Sequence, residues 1–148
     1  MQLKDKLLGI LLMLQLSGLE RLQAVEKYWM ARNAQLVVVG RLINATERQQ
    51  GSGWLIQGSI VVTEVLFGPG EPGQKVTYRF LCSCCPKPDL NTIQLQEGLW
   101  FLNEAGAGNW TTAGSCEQPG YRPIRERDDI RQFLKSRPSG KTGRDARP

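Results

Sequence analysis

The stretch between residues 40 and 120 constrains this chain most. Twelve of the 16 glycines fall there, set between runs of β-branched and aromatic residues. Glycine permits the tight turns and sharp coiling that short strands need, and it weakens helix interiors. The stretch therefore reads as strands cut apart by turns. Leu36 to Ile43 (LVVVGRLI) is a largely buried strand, with Gly40 marking a bulge or a sharp coil. Ala45 to Gly53 is polar and reads as a loop. Trp54 to Phe67 is a second long strand, with Ile60, Val62 and Glu64 on one face and Val61, Thr63 and Val65 on the other. Gly68-Pro69-Gly70-Glu71-Pro72-Gly73 is a dense turn signal, and the alternation of Val76, Tyr78 and Phe80 makes a third strand, completing a hairpin.

Cys82 to Gly98 shows no period and reads as a loop. Leu99 to Leu102 (LWFL) is a short apolar strand, Ala105 to Gly108 turns the chain, and Trp110 to Thr112 leads the last strand toward Cys116. Before the strands, Val25, Tyr28 and Trp29 recur at helical spacing within Ala24 to Asn33. After them, Asp128 is placed to cap a short helix whose inner face is Ile130, Phe133 and Leu134. The expected class is mainly β: a small five-stranded Greek-key OB-like barrel with a short helix at each end. An immunoglobulin-like sandwich would need about seven strands, for which there is no room.

The N-terminus reads as an export leader. Lys4 and Lys6 precede the apolar run Leu7 to Leu14, which is about half the roughly 20 residues of a membrane span. The expected organisation is a signal peptide over residues 1–24, the barrel over 25–135 and a disordered basic tail over 136–148. Localisation is then secreted or periplasmic, with no stable membrane span once the leader is removed. Export favours disulfides among Cys82, Cys84, Cys85 and Cys116. Adjacent Cys84 and Cys85 are poorly placed for an unstrained bridge, so one long bridge to Cys116 is expected, from Cys82 or Cys85. Such a bridge contributes roughly 3–4 kcal/mol in the chain-entropy model. A Cys-rich metal site is the alternative, but the paired C-x2-C spacing of structural zinc is absent.

In order and spacing, four segments resemble the N-terminal domain of the tissue inhibitors of metalloproteinases and their netrin-like relatives, including secreted bacterial versions. They are Asn33 to Leu42 (NAQLVVVGRL), Val61 to Gly70 (VVTEVLFGPG), Gly98 to Leu102 (GLWFL) and the hairpin running to Cys116. The resemblance spans roughly residues 25 to 118 and implies a five-stranded OB-type barrel and export. The inhibitors chelate the protease zinc through a Cys-x-Cys at the mature N-terminus. This chain has no Cys before Cys82, so that mechanism is carried over to no residue here.

The chain contains no His, which excludes Ser-His-Asp and Cys-His sites, HExxH zinc sites and Cys2His2 fingers. Glu126 and Asp129 share a helix face, but Arg125 and Arg127 flank them, as on a solvated charged helix. The expected function is thus an exported, disulfide-stabilised, non-catalytic barrel module that binds a protein or other extracellular ligand. No cofactor or metal is expected. Trp54 and Trp110, set among Gly and polar residues, are the candidate ligand contacts. A nucleic-acid-binding OB barrel is the other alternative and is disfavoured by charge. The net +5 divides into +1 in the leader, +1 over Val25 to Lys135 and +3 in the tail. Asn44-Ala45-Thr46 and Asn109-Trp110-Thr111 match the glycan acceptor tripeptide.

Overall fold

In the computed structural model the described residues are 4, 6–7, 27–83, 89–113 and 120–138. Helix α1 covers residues 27–33 and runs directly into strand β1 (Leu36–Gln50). Strands β2 (Gly53–Phe67) and β3 (Lys75–Cys82) follow, then helix α2 (Leu90–Gln94). Strands β4 (Gly98–Glu104), β5 (Asn109–Thr112) and β6 (Tyr121–Pro123) lead through a 3-10 turn to helix α3 (Arg127–Lys135).

Five of these strands close a barrel in the order β1-β2-β3-β5-β4, with β4 returning to pair with β1. All neighbours are antiparallel except β3 and β5, which are parallel. The fold is therefore the mainly β, five-stranded OB-like barrel with a short helix at each end that the strand count and glycines imply. The sixth strand completes the edge of β4 that β5 leaves open. Leu102 to Glu104 pair with β5, and Gly98 to Trp100 pair with β6. Between them, Phe101 N donates to Gly120 O and Phe101 O accepts from Ala113 N, both at 2.9 Å. In effect β5 and β6 are one strand from which the chain departs after Ala113 and to which it returns at Gly120.

The two continuous apolar runs are explained by burial on both faces. Leu36, Val38, Leu42, Trp100 and Leu102 point into the barrel with Ile56, Ile60, Val76, Tyr78 and Phe80. Val37, Val39, Leu99 and Phe101 point outward, where α1 and α3 cover them with Met30, Ala34, Ile130 and Leu134. A strand buried on both faces loses its hydrophobic alternation. β3, with only its inner face covered, alternates strictly between exposed and buried residues.

Four expectations are corrected. The polar stretch Ala45 to Gly53 is not a loop: β1 runs to Gln50, and the hairpin turns over residues 51–52. On the β1 side Thr46 to Gln50 are exposed along the edge of the ladder, which is why they are polar, while their partners Leu55 and Ile56 on β2 are buried. Glu64 does not share the face of Ile60 and Val62. Val39 pairs with Glu64 but Gly40 pairs with Val62, so Thr63 is an extra residue in β2. That bulge reverses the side-chain parity. Val65 turns to the barrel core, and Glu64 turns to helix α3, where it pairs with Arg131 and Arg127.

Helix α2 is the third correction, since it lies within the expected Cys82 to Gly98 loop. Asp89 caps it, accepting from Asn91 N at 3.1 Å and Thr92 Oγ1 at 2.8 Å. Leu90 and Ile93 pack down on the barrel interior. At the C-terminal end, α3 starts at Arg127, one residue before the expected Asp128 cap, and Asp128 and Asp129 occupy its first turn.

Candidate binding surface

The outside of the barrel has two unlike sides. On one, α1 and α3 cover β4 and the start of β1, and several of the charges there are paired, while Arg32, Arg125 and Lys135 stay exposed with no ion pair among the described residues. Lys27 Nζ lies 2.5 Å from Asp129, whose carboxylate also accepts from Tyr28 Oη at 2.9 and 3.0 Å. These bonds, that from Lys27 foremost, hold the Asp129 carboxyl below its usual range. The same carboxylate raises the Tyr28 phenol. Arg122 grips Glu126 through two bonds of 2.6 and 2.7 Å. Burial alone would raise Glu126, but the arginine brings it below its ordinary value. Arg131 bonds Asp128 at 3.0 Å and also Glu64. Arg137 donates to Ala31 O at 2.9 Å and Ala34 O at 2.6 Å, capping α1, and its guanidinium lies 3.9 Å over the Phe67 ring.

The second side is the outer face of β3 with the adjoining parts of β1 from Arg41 onward and of β2 up to Val61, against which no described helix packs. Cross-strand partners lie on the same face, so the register defines its rows. Arg41, Val61 and Lys75 form the first; Ile43, Ser59 and Thr77 the second; Thr46, Gln57 and Arg79 the third; Arg48, Leu55 and Leu81 the fourth. Arg41, Arg48, Lys75 and Arg79 are exposed, and none of them pairs with a carboxylate among the described residues. Leu81 is 47% exposed beside Leu55, which is 3% exposed. The Asn44–Ala45 irregularity that bends β1 here seats against Gly58, where a Cβ would lie 2.9 Å from Leu42 and 3.1 Å from Ala45. Asn44 itself is exposed with φ of 52°, a conformation that asparagine tolerates.

The candidate contacts point elsewhere. Trp54 is opposite Cys82 in an inward-facing row and is half-buried. Trp110 is opposite Tyr78 and packs against the barrel core. Asn109, half-buried, precedes it on β5 and is opposite Thr77. Cys82 is buried in the barrel interior at the end of β3. Cys84, Cys85 and Cys116 lie outside the described residues, as do most of the leader and residues 139–148 of the tail. Among the described residues no group of three or more His, Cys, Asp or Glu is placed to hold a metal. Nor is any helix among them long and apolar enough to cross a membrane.

The barrel itself offers little room. A crevice of about 10 Å³ beneath α2 is lined by Leu42, Ile56, Tyr78, Phe80, Leu90, Ile93 and Trp100. That is space for about one water molecule. Burial pushes the Tyr78 phenol well up, so it stays protonated. This crevice, lined by described residues alone, is too small for a substrate, whereas the outer face of β1 to β3 offers an exposed surface. The sequence carried the signal for this face in the exposed half of β3, Lys75, Thr77, Arg79 and Leu81, whose outward side chains alternate with core residues. Comparisons with protein-family models, curated proteins and solved structures find no match.

Proposed function

We propose that this chain is an exported, disulfide-stabilised, non-catalytic barrel module of the metalloproteinase-inhibitor and netrin-like class. It binds its ligand on the outer face of β1, β2 and β3. The observation that carries the reading is the asymmetry of the barrel: one side is packed under α1 and α3, while the outer face of β3 and the adjoining parts of β1 and β2 has no helix packed against it among the described residues. Barrels with this strand order take oligonucleotides and oligosaccharides on the β2–β3 face, a fold-level analogy that agrees with the placement. The class assignment is supported by the way α1 feeds the Asn33 to Leu42 segment into β1 and Gly98 to Leu102 into β4. With no Cys before Cys82, the zinc-chelating mode of inhibition is not part of the proposal.

The long disulfide is supported by the parallel pairing of β3 and β5. Tyr78 pairs with Trp110, so Cys82 and Thr112 both lie toward the same end of the barrel. The test expresses the full chain with a photo-crosslinking side chain at Thr77, on the open face, or at Gln132, on exposed α3. Recovery outside the cytosol, a mature N-terminus near residue 25 and ligand adducts only from position 77 are expected. A cytosolic, uncleaved chain with four reactive thiols, or adducts only from position 132, refutes the reading.

A further inference from the structure

We infer that the barrel end beneath α2 is a second, gated binding site. Its ligand is an uncharged, mostly apolar molecule of about eight carbon atoms with one hydrogen-bonding group. The site is separate from the outer face of the strands and stands whether or not that face binds. The lining of the crevice holds two polar side-chain atoms. Trp100 Nε1 is satisfied, donating to Gly40 O at 3.1 Å. Tyr78 Oη makes no hydrogen bond among the described residues, although Tyr78 is only 3% exposed. A buried polar group without a partner is costly, and native proteins rarely keep one. A single water does not answer it. The crevice has room for about one, but a buried water makes about three hydrogen bonds, and the rest of the lining is apolar. The phenol lacks what the hydroxyl or carbonyl of a ligand would supply.

Helix α2 is the gate. It is held more lightly than α1 and α3, which bury Met30, Ala31, Ile130 and Leu134 completely, whereas α2 buries no residue completely. Its five residues are too few for a helix to be stable alone. Leu90 and Ile93 are half-buried against the barrel core. Gln94 Oε1, accepting from Ala45 N at 3.1 Å, ties the helix to β1. Elements with so few buried contacts open locally at small cost. When α2 lifts, the Leu90 and Ile93 side chains leave the barrel end together. They vacate the space of about eight carbon atoms over Leu42, Ile56, Tyr78, Phe80 and Trp100. Apolar walls of this kind take small apolar molecules. No charged side chain lines the crevice, so a carboxylate or ammonium group would be buried there without a counter-charge. Burial already holds the Tyr78 phenol in its neutral form, for the same reason. The ligand is therefore uncharged, and its polar group meets Tyr78 Oη.

The test titrates the full chain with 1-octanol and follows tryptophan fluorescence, the urea midpoint and amide hydrogen exchange. Octanol should bind saturably and raise the midpoint. It should also quicken exchange at Ala45 N and at Ile93 N, which bonds Asp89 O at 3.1 Å, because the bound form is the one with α2 lifted. Octanoate should bind at least about tenfold more weakly. Gln94→Ala frees the gate without touching the core, and it should tighten octanol binding by about two- to tenfold, since more of the molecules are open. Tyr78→Phe should weaken octanol binding by about two- to tenfold. Without octanol its urea midpoint should equal or exceed that of wild type, because the hydroxyl it removes has no partner. No saturable binding by either wild type or Gln94→Ala overturns the inference. So does equal affinity for octanoate, or unchanged octanol binding by Tyr78→Phe. A lower octanol-free midpoint in Tyr78→Phe also overturns it, by showing that the phenol already has a partner. Adducts from position 77 bear on the outer face alone, so the two readings fail separately.

Discussion

Gly40→Ala isolates a close backbone approach between β1 and β2. Gly40 does not have a left-handed backbone, so alanine is conformationally permitted and the cost comes from space alone. A Cβ there would lie 2.5 Å from Val61 O, 3.2 Å from Val61 C and 2.9 Å from Ile60 Cγ2. Two of these three atoms are backbone of the paired strand, next to the Thr63 bulge, and cannot swing aside. Gly40 O also accepts the buried Trp100 Nε1 bond at 3.1 Å, so any retreat of β1 stretches that bond. Overpacking costs about 1–3 kcal/mol, and a weakened buried bond adds about 1. The smaller entropy of the unfolded alanine chain offsets about 0.5–1. The net loss is about 1–3 kcal/mol, a fall in Tm of roughly 5–15 °C for a domain of this size. Urea unfolding followed by tryptophan fluorescence reads it directly, with the midpoint lowered and the m-value unchanged. Gly73→Ala is the control: its φ is 87° but nothing lies within 4 Å, so it costs about 1–2 kcal/mol of backbone strain. An unchanged or raised midpoint for Gly40→Ala would refute the claim that this contact dictates glycine.

Arg137→Ala should lower stability by about 1.5–3 kcal/mol, because it leaves the Ala31 and Ala34 carbonyls without their charged donor and uncovers Phe67. Hydrogen exchange should show the loss concentrated in α1, and protection unchanged in α1 counts against the cap. Acid should loosen α3 as well. The Glu126 and Asp129 carboxyls lie below their ordinary values of 4.5 and 3.8 in the folded protein. Their contribution is present in full above those values and is lost as pH falls through the lower folded ones. The urea midpoint should therefore be insensitive to these groups at pH 5–7 and fall below about pH 4.5. Glu126→Gln should make that fall shallower; an identical acid profile would show that the Arg122–Glu126 pair does not contribute to it.

The strands were legible wherever local pattern and burial agree. β3 alternates because one face is wet, and the LVVV and LWF runs do not alternate because both faces are covered. Helix α2 was carried by Asp89 and by Leu90 and Ile93 at helical spacing, a signal too short to stand out from the surrounding loop. The Thr63 bulge left no local mark. Glu64 and Val65 exchange faces because the spacing of β1 against β2 requires an extra residue there. Of the site, the sequence offered Trp54 and Trp110, and their strand partners give both an inward-facing position.

Sequence alone determined the barrel class, the two terminal helices and the exclusion of histidine chemistry, because glycine spacing, β-branched runs and composition are local properties. Tertiary structure decided which cations are spent and which remain available. Lys27, Arg127, Arg131 and Arg137 meet carboxylates or carbonyls brought to them by packing of α1 and α3, Arg122 meets Glu126 four residues on, and Arg32, Arg125 and Lys135 stay exposed on the same side. Arg41, Arg48, Lys75 and Arg79 are left together on one face by strand register. A charge total sums these two groups, whereas the potential a ligand meets depends on where closure of the barrel places them.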